Sequence, residues 1–97
     1  MARASVRLLT QGWSSDQRRA LVNILDERQV TLVRRRIELD CMINDYEKHE
    51  ADEAIQFLIT RGANGYASWG IVEYTAVALF GRDPVFRDRW QEIRRMV

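Results

Sequence analysis

The sequence has a single cysteine, a single proline and a single histidine, one lysine against fourteen arginines, and no apolar run near the roughly 20 residues that cross a bilayer. Cys41 alone excludes an internal disulfide and any cysteine-cluster metal site. The start, MARASVRLLTQGW, carries arginines but no apolar stretch long enough for the h-region of a signal peptide, which with the lone thiol suits the cytoplasm. One proline and an apolar share of 46% argue against disorder. Nothing repeats and nothing is of low complexity. A chain of 97 residues, 1–97, reads as one domain, because single hydrophobic cores grow well past this size before they split.

Charge is present but segregated. The formal total of +1 gives no global pull toward nucleic acid or an anionic membrane. Within it, residues 1–36 balance at +5, residues 37–53 at −6, and the remainder at +2. Arginine forms bidentate pairs with carboxylates where lysine offers only a point charge, so a basic and an acidic face on one small body can attract each other between copies. Two solvated faces are the plain reading of the same pattern.

The chain reads as helices throughout. Residues 1–13 are a lead-in with room for a short first helix over Val6 to Leu9. Ser14 followed by Gln17 resembles a capping box, and Leu21, Ile24 and Leu25 share one face of a helix expected to reach Glu27 or Arg28. Thr31 is a candidate cap for the next segment. Two apolar registers compete there, 32-36-39-43 and 33-37-40. One straight helix would bury an arginine or Asp40, so two short helices bent near Ile37 to Asp40 are expected. Asn44 to His49 reads as a polar connection. Ala51 to Thr60 is a helix with Ala54, Ile55, Leu58 and Ile59 inward, and Gly62 suits its C′ position. Glu50, Asp52 and Glu53 sit near its start, where carboxylates favour the helix dipole.

Two apolar segments flank the Gly62-Ala63-Asn64-Gly65 turn. The second, Ile71 to Phe80, is apolar nearly all round with Glu73 its only charge, so it belongs in the middle of a bundle with Val72, Ala76 and Leu79 facing in. Ser68 or a neighbour begins it and Gly81 ends it. Asp83-Pro84 pairs an N-cap with proline at the first helical position. Phe86, Trp90, Ile93 and Val97 then make an i, i+4, i+7, i+11 stripe, and Arg94 and Arg95 sit at the favourable C-terminal end. No β alternation appears. The fold class is all-α, a compact bundle of five or six short helices.

No assembled chemistry is visible, and an enzyme is not expected. His49 has Glu47 and Glu50 nearby but no nucleophile in the pattern, and reads as a surface residue. Cys41 lacks an adjacent base and reads as a small buried hydrophobe. The acidic run lacks the spacing and central glycine of a calcium loop, and the glycines lack the Gly-Lys-Ser/Thr of a phosphate loop. No cofactor or metal is implied. Arg34-Arg35-Arg36 invites a nucleic-acid reading, but Glu38 and Asp40 follow at once and the total charge is low. Of the tryptophans, Trp90 belongs to the core stripe. Trp69, beside Tyr66, is either a lid on the core or an exposed anchor, a residue type enriched at interface hot spots.

Roughly residues 8–95 resemble the effector-associated domains of bacterial conflict systems, type 1 in particular, within the death-like fold that includes caspase recruitment and death domains. The resemblance rests on SSDQRRALVNIL, on TLVRRRIELDCMI, and most on AIQFLITRG followed by IVEYTAVA and GRDPVF. Thr60-Arg61 departs from the small or apolar residues common in the family, and the acidic connection is richer here. The resemblance implies a non-enzymatic adaptor whose copies, on a protease or a nucleotide-switched sensor protein, associate and bring sensor to effector in bacterial immunity or regulated cell death. The expected contact surface comprises Arg18, Arg19, Arg34, Arg35 and Arg36 on one copy, Glu47, Glu50, Asp52 and Glu53 on the next, with Trp69 as a candidate anchor. A small DNA-binding or transcription-regulating helical domain is the alternative.

Overall fold

The structure, a computed structural model, describes residues 13–43, 47–61 and 69–96, apart from the side chains of Ile43 and Trp69. These residues form five α-helices and no strand: α1 (Ser15–Asn23), α2 (Glu27–Ile43), α3 (Lys48–Thr60), α4 (Trp69–Phe80) and α5 (Pro84–Arg95). The expectations for Val6 to Leu9, the turn at 62–65 with Gly62 as C′, Ser68 and Val97 fall outside the described residues. The Cα radius of gyration is 12.2 Å, close to the roughly 13 Å of a folded chain of 100 residues. α2, α3 and α4 pack on one another, while α1 packs on α5 and on α4.

Local sequence explains most helix starts. Ser14 Oγ accepts from the Gln17 backbone N–H at 3.2 Å while Gln17 Oε1 accepts from the Ser14 N–H at 2.7 Å, the reciprocal box expected from the spacing. Asp83 Oδ1 accepts from the Val85 N–H at 2.9 Å, with Pro84 opening α5. α1 is shorter than expected, ending at Asn23 and not at Glu27 or Arg28. The cause is a second reciprocal box: Asp26 Oδ1 accepts from the Gln29 N–H at 2.8 Å and Gln29 Oε1 from the Asp26 N–H at 3.0 Å, so Asp26 already starts α2. Thr31, expected as a cap, lies inside α2, its hydroxyl donating to the Glu27 carbonyl at 3.0 Å.

α2 corrects the expectation of two bent helices. It is one helix of 17 residues in the register that buries Val33, Ile37 and Asp40. The burial of Asp40, which argued against this register, is met one turn earlier on the same helix: Arg36 Nε lies 3.3 Å from Asp40 Oδ1. An arginine at i−4 reaches a half-sunk carboxylate while its own head stays in water.

α3 begins at Lys48 and faces the core with Ala51, Ala54, Phe57 and Leu58. Ile59, expected inward, is 46% exposed, and Phe57 takes the inward position. The helix ends on Arg61, a non-glycine residue in the left-handed region (φ 59°, ψ 48°), a conformation that costs about 1–2 kcal/mol. Its guanidinium Nη1 donates to the carbonyls of Val22 at 2.6 Å and Leu25 at 2.8 Å, which offsets that strain and satisfies the end of α1.

α4 is the centre of the bundle. Val72 and Ala76 are fully buried, with Ile71, Tyr74, Val77 and Phe80 half-buried. The enclosure is incomplete. In the last turn Ala78 and Leu79 emerge into solvent, Leu79 being 40% exposed against expectation. α5 buries Phe86 and Ile93 and lays Trp90 against Trp13, ring centroids 5.9 Å apart.

Candidate protein-interaction surface

The arginines of the expected basic surface lie on two helices. Arg18 and Arg19 belong to α1, whose main neighbours are α5 and α4, whereas Arg34, Arg35 and Arg36 belong to α2, whose main neighbours are α3 and α4. Arg34, Arg35 and Arg36 are all exposed, with no turn of α2 hiding them. Three of the five arginines hold a carboxylate on their own helix: Arg19 with Asp16 at 3.7 Å, Arg34 with Glu38 at 3.8 Å, and Arg36 with Asp40. The first two pairs are exposed on both sides and worth about 0–1 kcal/mol, so both arginines stay available to a competing carboxylate. Arg36 is committed to the half-sunk Asp40 and is held more firmly. Arg35 is exposed and makes no ion pair among the described residues.

The acidic half clusters at the start of α3. Glu47 is the N-cap residue, exposed and 3.3 Å from the His49 imidazole, which places His49 on the surface as expected. Glu50 is half-buried, Asp52 and Glu53 are exposed. Cys41 is half-buried near the other end of α2. The side chain of Trp69 lies outside the described residues, so its expected anchoring role has no geometry attached.

Two features of the interior were not expected from the residue pattern. Glu73 has no exposed surface, and neither carboxyl oxygen has a hydrogen-bond partner. Burial pushes its pKa up to about 7; the Trp90 indole N–H beside it draws the value down, though outside hydrogen-bonding geometry. The Thr75 hydroxyl, two residues on along the helix, is likewise buried and unpartnered. The second feature is a cleft of about 290 Å³ between the end of α4 and α5. Val77, Phe86 and Trp90 give it apolar walls, and Arg87, Gln91 and Arg94, at i, i+4 and i+7 of α5, line one side. Gly81 belongs to the same cleft, where a Cβ would collide with the Val77 carbonyl.

Among the described residues no group of three or more His, Cys, Asp and Glu is placed to hold a metal ion, and no helix is long and apolar enough to cross a membrane. The class that the described residues define is an all-α bundle. No family model matches the chain, and no curated protein or solved structure matches it.

Proposed function

We propose that this chain is a non-enzymatic adaptor domain of the death-like, effector-associated type, which binds copies of itself or a related domain and thereby couples a sensor to an effector such as a protease. The carrying observation is that both charge clusters reach the surface on separate elements: Arg34, Arg35 and Arg36 along α2, and Glu47, Asp52 and Glu53 at the start of α3. Opposite surfaces at different places on one body join head-to-tail, producing rings or open filaments and not closed pairs. The proposed setting is bacterial immunity or regulated cell death in the cytoplasm, the setting of the family that the sequence resembles.

Arg35 is the cleanest probe, because reversing Arg36 would also disturb Asp40. Sedimentation velocity should show self-association that weakens between about 50 mM and about 500 mM salt, as the screening length shortens. Arg35→Glu should weaken it further with helix content unchanged. Association indifferent to both changes rejects the electrostatic contact. Micromolar binding to random-sequence duplex at physiological salt would move the reading to nucleic acid.

A further inference from the structure

The α4/α5 cleft combines apolar walls with cations that hold no carboxylate among the described residues. Its volume of about 290 Å³ lies at the small end of ligand pockets, roughly 300–1,000 Å³, which suits a protruding side chain better than a whole cofactor. Arg87 and Arg94 are exposed, and neither has a carboxylate within ion-pair distance among the described residues. Arg94 instead rests over the Trp90 ring, 5.6 Å from its centroid. An occupant that complements this arrangement is an apolar side chain carried between acidic residues.

The chain presents such an element on another helix. Met42, at the end of α2, is 83% exposed, the highest value among the large apolar side chains of the described residues, and Leu39 one turn before it is also exposed. Both belong to residues 37–53, the stretch with a balance of −6. Methionine is unbranched and flexible, and fills irregular apolar gaps readily. The turn belongs to α2, whereas the cleft is walled by the end of α4 and by α5.

We propose that the α4/α5 cleft of one copy receives the C-terminal turn of α2 of a second copy, Met42 entering against Val77, Phe86 and Trp90 while neighbouring carboxylates meet Arg87 and Arg94. The inference rests on the self-association reading above, and adds an apolar contact that does not involve Arg34, Arg35 or Arg36. The contact joins unlike surfaces, so each copy keeps one free cleft and one free turn.

The test uses two variants of the full chain, Arg87→Glu with Arg94→Glu, and Met42→Glu, each checked for unchanged helix content by circular dichroism. Each should self-associate about tenfold or more weakly than the wild type, the loss typical of removing an interface hot spot. Mixed in equal amounts they should associate more tightly than either does alone, since the first keeps its turn and the second its cleft. Methyl-labelled Met42 in the cleft variant should shift on adding the unlabelled Met42→Glu chain. Wild-type-like association of both variants overturns the inference. So does loss in the cleft variant alone with no rescue on mixing, which would assign the cleft to another occupant. Association abolished by Arg35→Glu but untouched by the cleft variant removes this inference and leaves the adaptor reading intact. A wild-type chain that stays monomeric at every concentration removes both.

Discussion

The side-chain amide of Gln17 donates to the main-chain carbonyl of Ile93 at 3.0 Å, across 76 residues of sequence. The same Nε2 reaches the carbonyls of Met96 at 2.9 Å and Arg94 at 3.4 Å, and its Oε1 accepts from the Ser14 N–H. One residue therefore closes the start of α1 and the end of α5, each of which leaves backbone groups without helical partners.

Replacing Gln17 by alanine should cost about 2–3 kcal/mol. Carbonyls left unsatisfied in a buried setting contribute about 1–3 kcal/mol, and half of a capping box about 1 kcal/mol. Urea denaturation followed by far-UV circular dichroism measures the loss. A cost below about 0.5 kcal/mol, the range of an ordinary surface change, would show that the clasp is dispensable.

Glu73 makes stability depend on pH. Its folded-state pKa of about 7 lies above the ordinary value of 4.5, so the folded chain holds a proton that the unfolded chain has released. The group's contribution is fully present below pH 4.5 and is lost as pH rises through 7. The whole span amounts to roughly 3 kcal/mol. Thermal melts should therefore show falling stability from pH 5 to about pH 8, with Glu73→Gln flattening the profile and Glu73→Leu raising the alkaline end. A Glu73→Gln profile as steep as the wild type would place the dependence elsewhere.

The arginines of α2 should separate by role. Arg36→Ala removes the cation from Asp40, a residue 8% exposed, and should cost about 1–2 kcal/mol. Arg34→Ala breaks an exposed pair with Glu38 and should change stability by under about 0.5 kcal/mol. Parallel urea titrations give both values; equal costs would contradict the difference in burial.

What the sequence disclosed was local. The box at Ser14 and the cap at Asp83 were legible because a cap and its partner stand within three residues of each other. The box at Asp26 has the same spacing to Gln29, but it was hidden inside an apolar pattern that appeared to continue through it. α2 was misjudged at Asp40, where a buried carboxylate looked prohibitive; the remedy, Arg36 one turn away, was in plain view but needed the register to be known first. Arg61 could not be read at all. It stood as a departure from the family pattern, whereas its left-handed backbone and its reach to Val22 and Leu25 depend on where α1 lies. The candidate surface was legible as charge balance. Which arginines are already engaged, and that Met42 stays exposed, are matters of side-chain placement that composition does not carry.

The pairing of α1 with α5 has a consequence for how the molecule is made. The middle three helices are neighbours in the chain and in space, and can come together as soon as they are synthesised. The first helix cannot join them fully, because α5, on which it packs most, follows all three in the chain. Until α5 has emerged, α1 lacks one of the two helices it packs on, and the nascent protein carries an adhesive first helix that only the synthesis of residues 84–95 can cover.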